Sequence, residues 1–169
     1  MKQPDYGDIS LRLRAIEDEL AIRNLVARFT DAVNERDRDA FRQVWTENAI
    51  WENGPPRPHA AEGVDAIVDM FDRLLASRVL FIQRTHSGII DFTGADTATA
   101  RFIERERGRG SEDYYENLAV YQDVLVRTPV GWRFKRRYYN YRFLDVSAFP
   151  GEVIPIMGKL NVAGEGKLP

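Results

Sequence analysis

The sequence predicts an α+β domain in which three N-terminal helices cover one face of a bent antiparallel sheet. Two observations lead to this fold class. Apolar residues recur at helical spacing through the first half of the chain, and from about residue 79 onward the pattern changes to the alternation of half-buried strands. Helices followed by long antiparallel strands are typical of α+β domains, and 169 residues suffice for one such domain with its own core.

The first helix is predicted over residues 10–36, after a disordered stretch at residues 1–9. Its apolar side chains recur on one face at Leu20, Leu25, Phe29 and Val33. A second, short helix is predicted over residues 38–45, where Asp37 has the side chain of a typical N-cap.

Residues 49–51 follow as a short strand that stops at the Asn-Gly-Pro-Pro sequence of residues 53–56. A loop with the second histidine, His59, then leads to Gly63. We expect that histidine to be solvated, with a lid over a pocket as the alternative. The third helix begins after Gly63, with an apolar stripe predicted to be buried at Val64, Ile67, Phe71 and Leu75.

Four long strands are predicted over residues 79–92, 97–107, 114–126 and 132–143, separated by turn sequences. In the last strand, Trp132, Phe134 and Tyr138 alternate with basic residues, which predicts that these aromatic side chains face the core. The domain is predicted to span residues 10–146. The apolar tail at 147–169 is expected to be ordered on the domain or on a neighbouring subunit, because its side chains would be costly to leave in water.

Composition excludes several classes of function. The formal net charge is −2, so no overall positive field attracts nucleic acid or an anionic membrane. There are no cysteines, and the two histidines have no metal-ligand spacing around them, so no metal site is expected. The sequence contains no nucleotide-binding glycine motif, and we expect neither a signal peptide nor a membrane-spanning segment. We expect a cytoplasmic protein without a cofactor.

His86 is the most informative single residue, because it interrupts a strand-like run and its side chain titrates near neutral pH. A half-buried histidine can act as a general acid or base, although a histidine with satisfied hydrogen bonds in a core is the plainer alternative.

Five short sequences, in order, resemble the SnoaL-like branch of the nuclear transport factor 2-like superfamily; they lie at residues 29–37, 41–49, 62–67, 94–98 and 131–134. The resemblance covers roughly residues 15–143 and implies a cone: a strongly bent sheet wrapped round helices, with a deep apolar pocket. The chain is most similar to scytalone dehydratase, hexachlorocyclohexane dehydrochlorinase and bile acid 7α-dehydratase. These enzymes pair a strand histidine with an aspartate to eliminate H–X without a cofactor.

The resemblance implies that His86 is the base and that Asn34 takes the position of the aspartate. Phe29 takes the position of a tyrosine that some members have. Asparagine can orient an imidazole ring, but it supplies no charge to stabilise the imidazolium. Asp31 is a candidate for the missing acid, although its place off the apolar stripe favours exposure.

Glu106 is the second candidate for the acid. Alternation places Phe102, Glu104 and Glu106 on one face of their strand, and the family register points that face into the cone. An exterior ladder of ion pairs is an equal alternative. The substrate pocket is predicted to be lined by Phe29, Trp51, Phe102, Glu104 and Tyr121.

Two functions follow from these observations. The first is a cofactor-independent lyase or isomerase acting on a hydrophobic, cyclic small molecule. The second is a non-catalytic member of the family that binds an apolar small molecule or a protein partner, which the asparagine at position 34 favours. The resemblance also implies a homo-oligomer, a dimer or trimer.

Overall fold

The computed structural model describes residues 6–154, and their side chains from residue 9. Three helices come first: α1 (Tyr6–Asn34), α2 (Arg38–Gln43) and α3 (Val64–Ala76). Six strands form one sheet: β1 (Trp45–Asn53), β2 (His59–Glu62), β3 (Leu80–Gly94), β4 (Thr97–Arg109), β5 (Tyr114–Thr128) and β6 (Gly131–Asp145). The predicted fold class is confirmed.

The strand order is β2-β1-β6-β5-β4-β3, so β2 and β3 form the two edges of an open sheet. The four long strands pair antiparallel in sequence order, as predicted. The prediction of a purely antiparallel sheet is wrong at one place, because β1 pairs in parallel with β6. The short strand β2, which the sequence does not reveal, begins at His59 and pairs with β1.

The helices pack as their apolar patterns predict, with two corrections. Asp37 caps α2 by accepting a hydrogen bond from the Ala40 amide at 2.9 Å, and the stripe of α3 is buried. Residues 6–9 belong to α1, although the sequence predicts disorder up to residue 9. Leu20 is 57% exposed, because the hydrophobic core that α1 contacts begins only at Ile22.

A β-bulge in β6 reverses the predicted faces of its middle section. The pairing with β5 shifts between Phe134 and Arg136, so that Lys135 is an extra residue in the strand. Trp132 and Phe134 point into the core before the bulge, and Arg137 and Tyr139 do so after it. The prediction that Tyr138 faces the core is therefore wrong, and Arg137 is buried in its place.

The first part of the C-terminal tail returns over the sheet. The ring of Phe149 lies 5.3 Å from the ring of Tyr114 and 4.5 Å from the guanidinium carbon of Arg107. Arg109 donates a hydrogen bond to the carbonyl oxygen of Gly151 at 3.2 Å. The rest of the predicted tail, residues 155–169, lies outside the described residues.

Candidate functional site

A cavity with an open mouth lies between α1, α3 and the inner face of the sheet, and it has about 730 Å³ of empty volume. Its walls are mostly apolar and aromatic: Phe29, Val33, Trp51, Phe71, Leu74, Leu75, Phe81, Tyr121, Tyr139 and Tyr141. A largely apolar wall with a few polar groups is typical of small-molecule sites. Of the predicted pocket residues, Phe29, Trp51 and Tyr121 line this cavity.

Glu106 is the only carboxyl group among the residues that line the cavity. Gln83 donates a side-chain hydrogen bond to one of its oxygens at 2.9 Å, and the Tyr115 hydroxyl donates to the other at 2.8 Å. Burial raises the pKa of Glu106 above its ordinary value, and the two hydrogen bonds oppose that rise. Glu106 therefore keeps its proton at a higher pH than an exposed glutamate does, as a group that transfers protons near neutral pH must.

Local geometry explains how Tyr115 reaches this carboxyl group. Tyr115 on β5 pairs directly with Gly108 on β4, two residues beyond Glu106 on the same face. A Cβ atom at Gly108 would lie 2.2 Å from a ring carbon of Tyr115, so glycine allows the ring to lie across the strand. Burial and the adjoining Glu106 raise the pKa of Tyr115, which keeps its hydroxyl protonated and able to donate.

The polar wall of the cavity also contains side-chain atoms that have no hydrogen-bond partner among the described residues. They are the indole nitrogen of Trp51 and the amide oxygens of Asn53 and Gln83. A buried polar atom without a partner is costly, and these three atoms are shielded from solvent.

The structure corrects the expected position of His86, which does not line this cavity. Gln83 and Thr85 point inward, so alternation turns His86 outward. The pairing of β3 with β4 then shifts between Thr85 and Gly88, which is a β-bulge that contains His86. The ring is exposed and makes no hydrogen bond or ion pair within the described residues.

Asn34 also differs from its expected role. Its side-chain amide donates to the carbonyl oxygen of Gln83 at 2.9 Å and accepts from the Gln83 amide at 2.7 Å. The asparagine therefore fixes the end of α1 to β3 at the residue that holds Glu106, and it makes no hydrogen bond to His86. Asn34, Asp31 and His86 share only a shallow surface groove, in which Asp31 is exposed as its helix position predicts.

The face of β4 is predicted correctly, but only one of its three candidates reaches the cavity. Phe102 and Glu104 point inward and are 3% and 0% exposed, respectively. Neither lines this cavity: Glu104 is sealed in the core, and Phe102 borders the groove of Asp31, Asn34 and His86 instead. Glu104 accepts hydrogen bonds from the Thr85 hydroxyl at 3.0 and 2.9 Å, and burial raises the pKa of Glu104 to about 8.

Sequence reasoning missed two basic residues of the cavity lining, Arg57 and Arg78. Both are half-buried, and His59, which also lines the cavity, is exposed, so these three residues lie toward its open mouth. His59 is exposed, as predicted, and it is the histidine that the cavity contains. Within residues 6–154, no group of three or more His, Asp or Glu side chains could hold a metal ion.

Comparison with known proteins identifies the family. A family model described as the SnoaL-like domain matches residues 14–138, which is most of the chain. The chain therefore belongs to the SnoaL-like family, as its sequence resemblance indicates. A search of curated proteins finds no match.

Solved structures agree on the fold. The chain is similar to a type 3 hexachlorocyclohexane dehydrochlorinase from Novosphingobium barchaimii, at 18% identity and a TM-score of 0.76 over 85% of this chain and 99% of that one. It is also similar to a proposed scytalone dehydratase from Novosphingobium aromaticivorans, at 15% identity and a TM-score of 0.71 over 87% and 97% of the two chains. A nuclear transport factor 2-like protein with a cystatin-like fold from the same organism matches at 25% identity, with a TM-score of 0.70 over 83% and 92%.

Proposed function

We propose that this protein is a cofactor-independent lyase or isomerase that acts on a hydrophobic, cyclic small molecule in the cavity, with Glu106 as the group that moves the proton. The observation that carries this proposal is the Glu106 carboxyl group, which faces an apolar cavity and is held by Tyr115 and Gln83. The dehydrochlorinase and the proposed dehydratase with similar folds support an elimination reaction.

The proton balance of such a reaction needs only this one carboxyl group. In its neutral form, Glu106 donates a proton to the leaving hydroxyl, the C–O bond breaks, and water departs with the bonding electrons. The carboxylate that remains takes a proton from the neighbouring carbon, and the C–H electron pair forms the double bond. The products are an alkene and water, and Glu106 is again neutral.

Other groups of the wall have supporting roles in this scheme. Tyr115 and Gln83 fix the carboxyl group at both oxygens, so that its orientation is set before the substrate binds. The rings of Phe29, Trp51 and Tyr121 provide apolar area for a cyclic substrate. A carboxyl that acts as acid and then as base at neutral pH needs a raised pKa, and burial raises that of Glu106.

Glu106→Gln tests this function. A set of hydroxylated and halogenated cyclic compounds is incubated with the protein, and products of elimination or isomerisation are detected by mass spectrometry and NMR. For any compound that is turned over, Glu106→Gln should lower kcat by about 10²- to 10⁴-fold, because glutamine keeps the shape but carries no acidic proton. Substrate binding should change far less.

Glu104→Gln is the matched control, since it makes the same change two residues away on the same face of β4. Glu104 is sealed in the core, so its replacement should leave kcat nearly unchanged. Equal losses in the two variants, or full activity in Glu106→Gln, would contradict the assignment.

A second function is favoured by the position of His86 and by the bonds of Asn34. Because the expected histidine lies outside the cavity and the Asn34 amide is already bound to Gln83, a non-catalytic member that binds a small molecule is the alternative. Compounds that bind in the cavity of the wild-type protein but are never turned over would establish this alternative.

We also propose that the chain forms a homo-oligomer, a dimer or trimer. Apolar side chains are exposed on the outer face of the sheet, among them Ile89, Ile103 and Phe143. An exposed apolar face of this kind is typical of a protein interface. A monomer in light scattering at micromolar concentration would contradict this proposal.

No helix in the described residues is long and apolar enough to cross a membrane. A cytoplasmic location stays a prediction.

A further inference from the structure

The cavity lining contains an arginine that has no salt-bridge partner among the described residues. Arg57 is half-buried, lines the mouth and makes no ion pair or hydrogen bond with any residue of the described range. Its guanidinium carbon lies 5.3 Å from the centre of the Tyr115 ring. An arginine held in this way keeps its hydrogen-bond donors free.

Arg78 is the neighbouring cation, and its chemistry is different. Its guanidinium carbon lies 5.1 Å from the centre of the same Tyr115 ring, but its charge is paired with Asp113. Glu106, the one carboxyl group of the cavity wall, is already bound by Tyr115 and Gln83 and does not pair with Arg57. Of these two arginines, Arg57 is the one without an ion pair or hydrogen bond to a described residue.

The lining of the cavity thus combines three kinds of group. They are a guanidinium group without an ion pair among the described residues, a set of aromatic rings, and the Glu106–Gln83 pair. We infer that the ligand of this cavity is a ring-containing carboxylate, whose carboxylate group binds Arg57 at the mouth while its ring lies against the aromatic wall. A planar guanidinium group matches a carboxylate through two parallel hydrogen bonds, which favours this anion over a single polar group.

This inference deepens the proposed function, and it rests on the same cavity as that function. It adds that the substrate is an anion bound through its carboxylate group, in a cavity whose lining also contains Glu106. A fixed anchor at the mouth also restricts the ring to one direction in the cavity, which is how an enzyme positions one carbon beside its acid group.

The test compares ligands that differ only in charge. Binding of naphthoate, benzoate and cyclohexanecarboxylate, and of their neutral carboxamides, is measured by titration calorimetry on the wild-type protein. We expect at least one carboxylate to bind about tenfold more tightly than its carboxamide, since a charge-assisted hydrogen bond to a partly exposed guanidinium contributes about 1.5 kcal/mol.

Arg57→Gln should abolish that preference and leave carboxamide binding unchanged. Arg73→Gln is the matched control, because it removes an equal charge from an exposed position of α3 that does not line the cavity. It should keep the preference. Thermal melts of both variants show whether the loss of the Tyr115 contact has altered the fold.

Three outcomes would overturn the inference: equal affinity of the wild-type protein for acid and amide, a preference that survives in Arg57→Gln, or no binding of any carboxylate up to its solubility. Tighter binding of naphthyl phosphate than of naphthoate would overturn the carboxylate assignment. Measuring the same pairs on Glu106→Gln separates the two proposals. If Glu106→Gln keeps the preference for carboxylates and its turnover is undiminished, only the role of Glu106 is contradicted. If the wild-type protein shows no such preference and turnover is impaired in Glu106→Gln, only the anion site is contradicted.

Discussion

Glu104 and Glu106 lie two residues apart on the same face of β4, yet they have different surroundings. Glu104 is fully buried beneath α1, where the Thr85 hydroxyl donates to both of its oxygens. Glu106 lies at the cavity wall, where Tyr115 and Gln83 each donate to one oxygen. Burial raises the pKa of both carboxyl groups. A raised pKa alone therefore does not identify a catalytic group, and access to a ligand is what separates the two.

The arginines near these two carboxyl groups differ in the same way. The closed end of the molecule contains a fully buried ion pair, in which Arg137 donates to Asp123 at 2.9 Å. The Arg137 guanidinium carbon also lies 3.8 to 4.2 Å from the centres of three aromatic rings, Phe29, Tyr121 and Phe134. At the open end, Arg57 has an aromatic contact but no salt bridge to a described residue. The buried cation is thus paired within the protein, and we expect the cation of the cavity to be paired by a ligand.

The largest effect is expected from Arg137→Met. Removing this cation leaves Asp123 buried without a partner, which should lower the free energy of unfolding by about 3–5 kcal/mol. Urea denaturation followed by circular dichroism measures the change. The double variant Arg137→Met/Asp123→Leu should recover much of the loss, because it removes the unpaired charge as well. An Arg137→Met protein as stable as wild type would show that the ion pair does not hold the closed end together.

The next largest effect is expected from Glu104→Gln, which should make the free energy of unfolding less dependent on pH. Glu104 has its ordinary pKa of 4.5 in the unfolded chain, and burial raises it to about 8 in the folded one. Between these values the unfolded chain has released the proton and the folded chain retains it. Rising pH therefore stabilises the unfolded state, and the free energy of unfolding falls by up to about 1.4 kcal/mol per pH unit.

Urea denaturation at several pH values between 4.5 and 8 measures this slope. In Glu104→Gln the slope should flatten, and the part that remains is expected from Glu106, whose pKa is raised in the same direction. An unchanged slope in Glu104→Gln would show that Glu104 does not hold its proton in the folded state.

Tyr115→Phe has a smaller effect, and it acts on the open end alone. The Tyr115 hydrogen bond stabilises the ionised form of Glu106, so its removal should raise the pKa of that carboxyl further. The limb of the pH–activity profile that reports Glu106 should move to higher pH by about one unit, whether the group acts as acid or base. A profile of unchanged shape with a lower maximum would indicate that Tyr115 contributes only to packing.

Much of this contrast can be predicted from the sequence, because it depends on alternation within unbroken strands. The face shared by Phe102, Glu104 and Glu106 follows from the period of two in β4, which pairs with β5 without a register shift. The stripe of α3 and the cap at Asp37 are also local patterns, and both are confirmed. Alternation does not predict which of these inward side chains lies beside the cavity. That depends on the position along the strand, and only Glu106 is at the right position.

The errors lie where a strand contains an extra residue or where the site depends on distant elements. The bulge at Lys135 changes which face of β6 is buried, so that Arg137 is inside and Tyr138 is not. No local sequence signal marks this bulge. The mouth residues Arg57 and His59 come from a proline-rich loop and the short strand β2, and only the tertiary fold brings them to the cavity. In β3, the residue that meets both Asn34 and Glu106 is Gln83, three positions before the histidine on which the sequence focuses attention.

The smallest effect is expected from His86→Gln, and this variant tests directly whether His86 takes part in the reaction. The ring is exposed in the β3 bulge and has no hydrogen-bond partner in the described part of the chain, so the free energy of unfolding should stay within about 0.5 kcal/mol of wild type. Because the ring does not line the cavity, kcat should also stay close to the wild-type value. Both are measured beside Glu106→Gln, under one set of conditions. A fall in kcat by a hundredfold or more, with stability unchanged, would bring the histidine into the reaction. The proton step would then belong to the groove that His86 shares with Asp31 and Asn34, and its assignment to Glu106 would have to be given up.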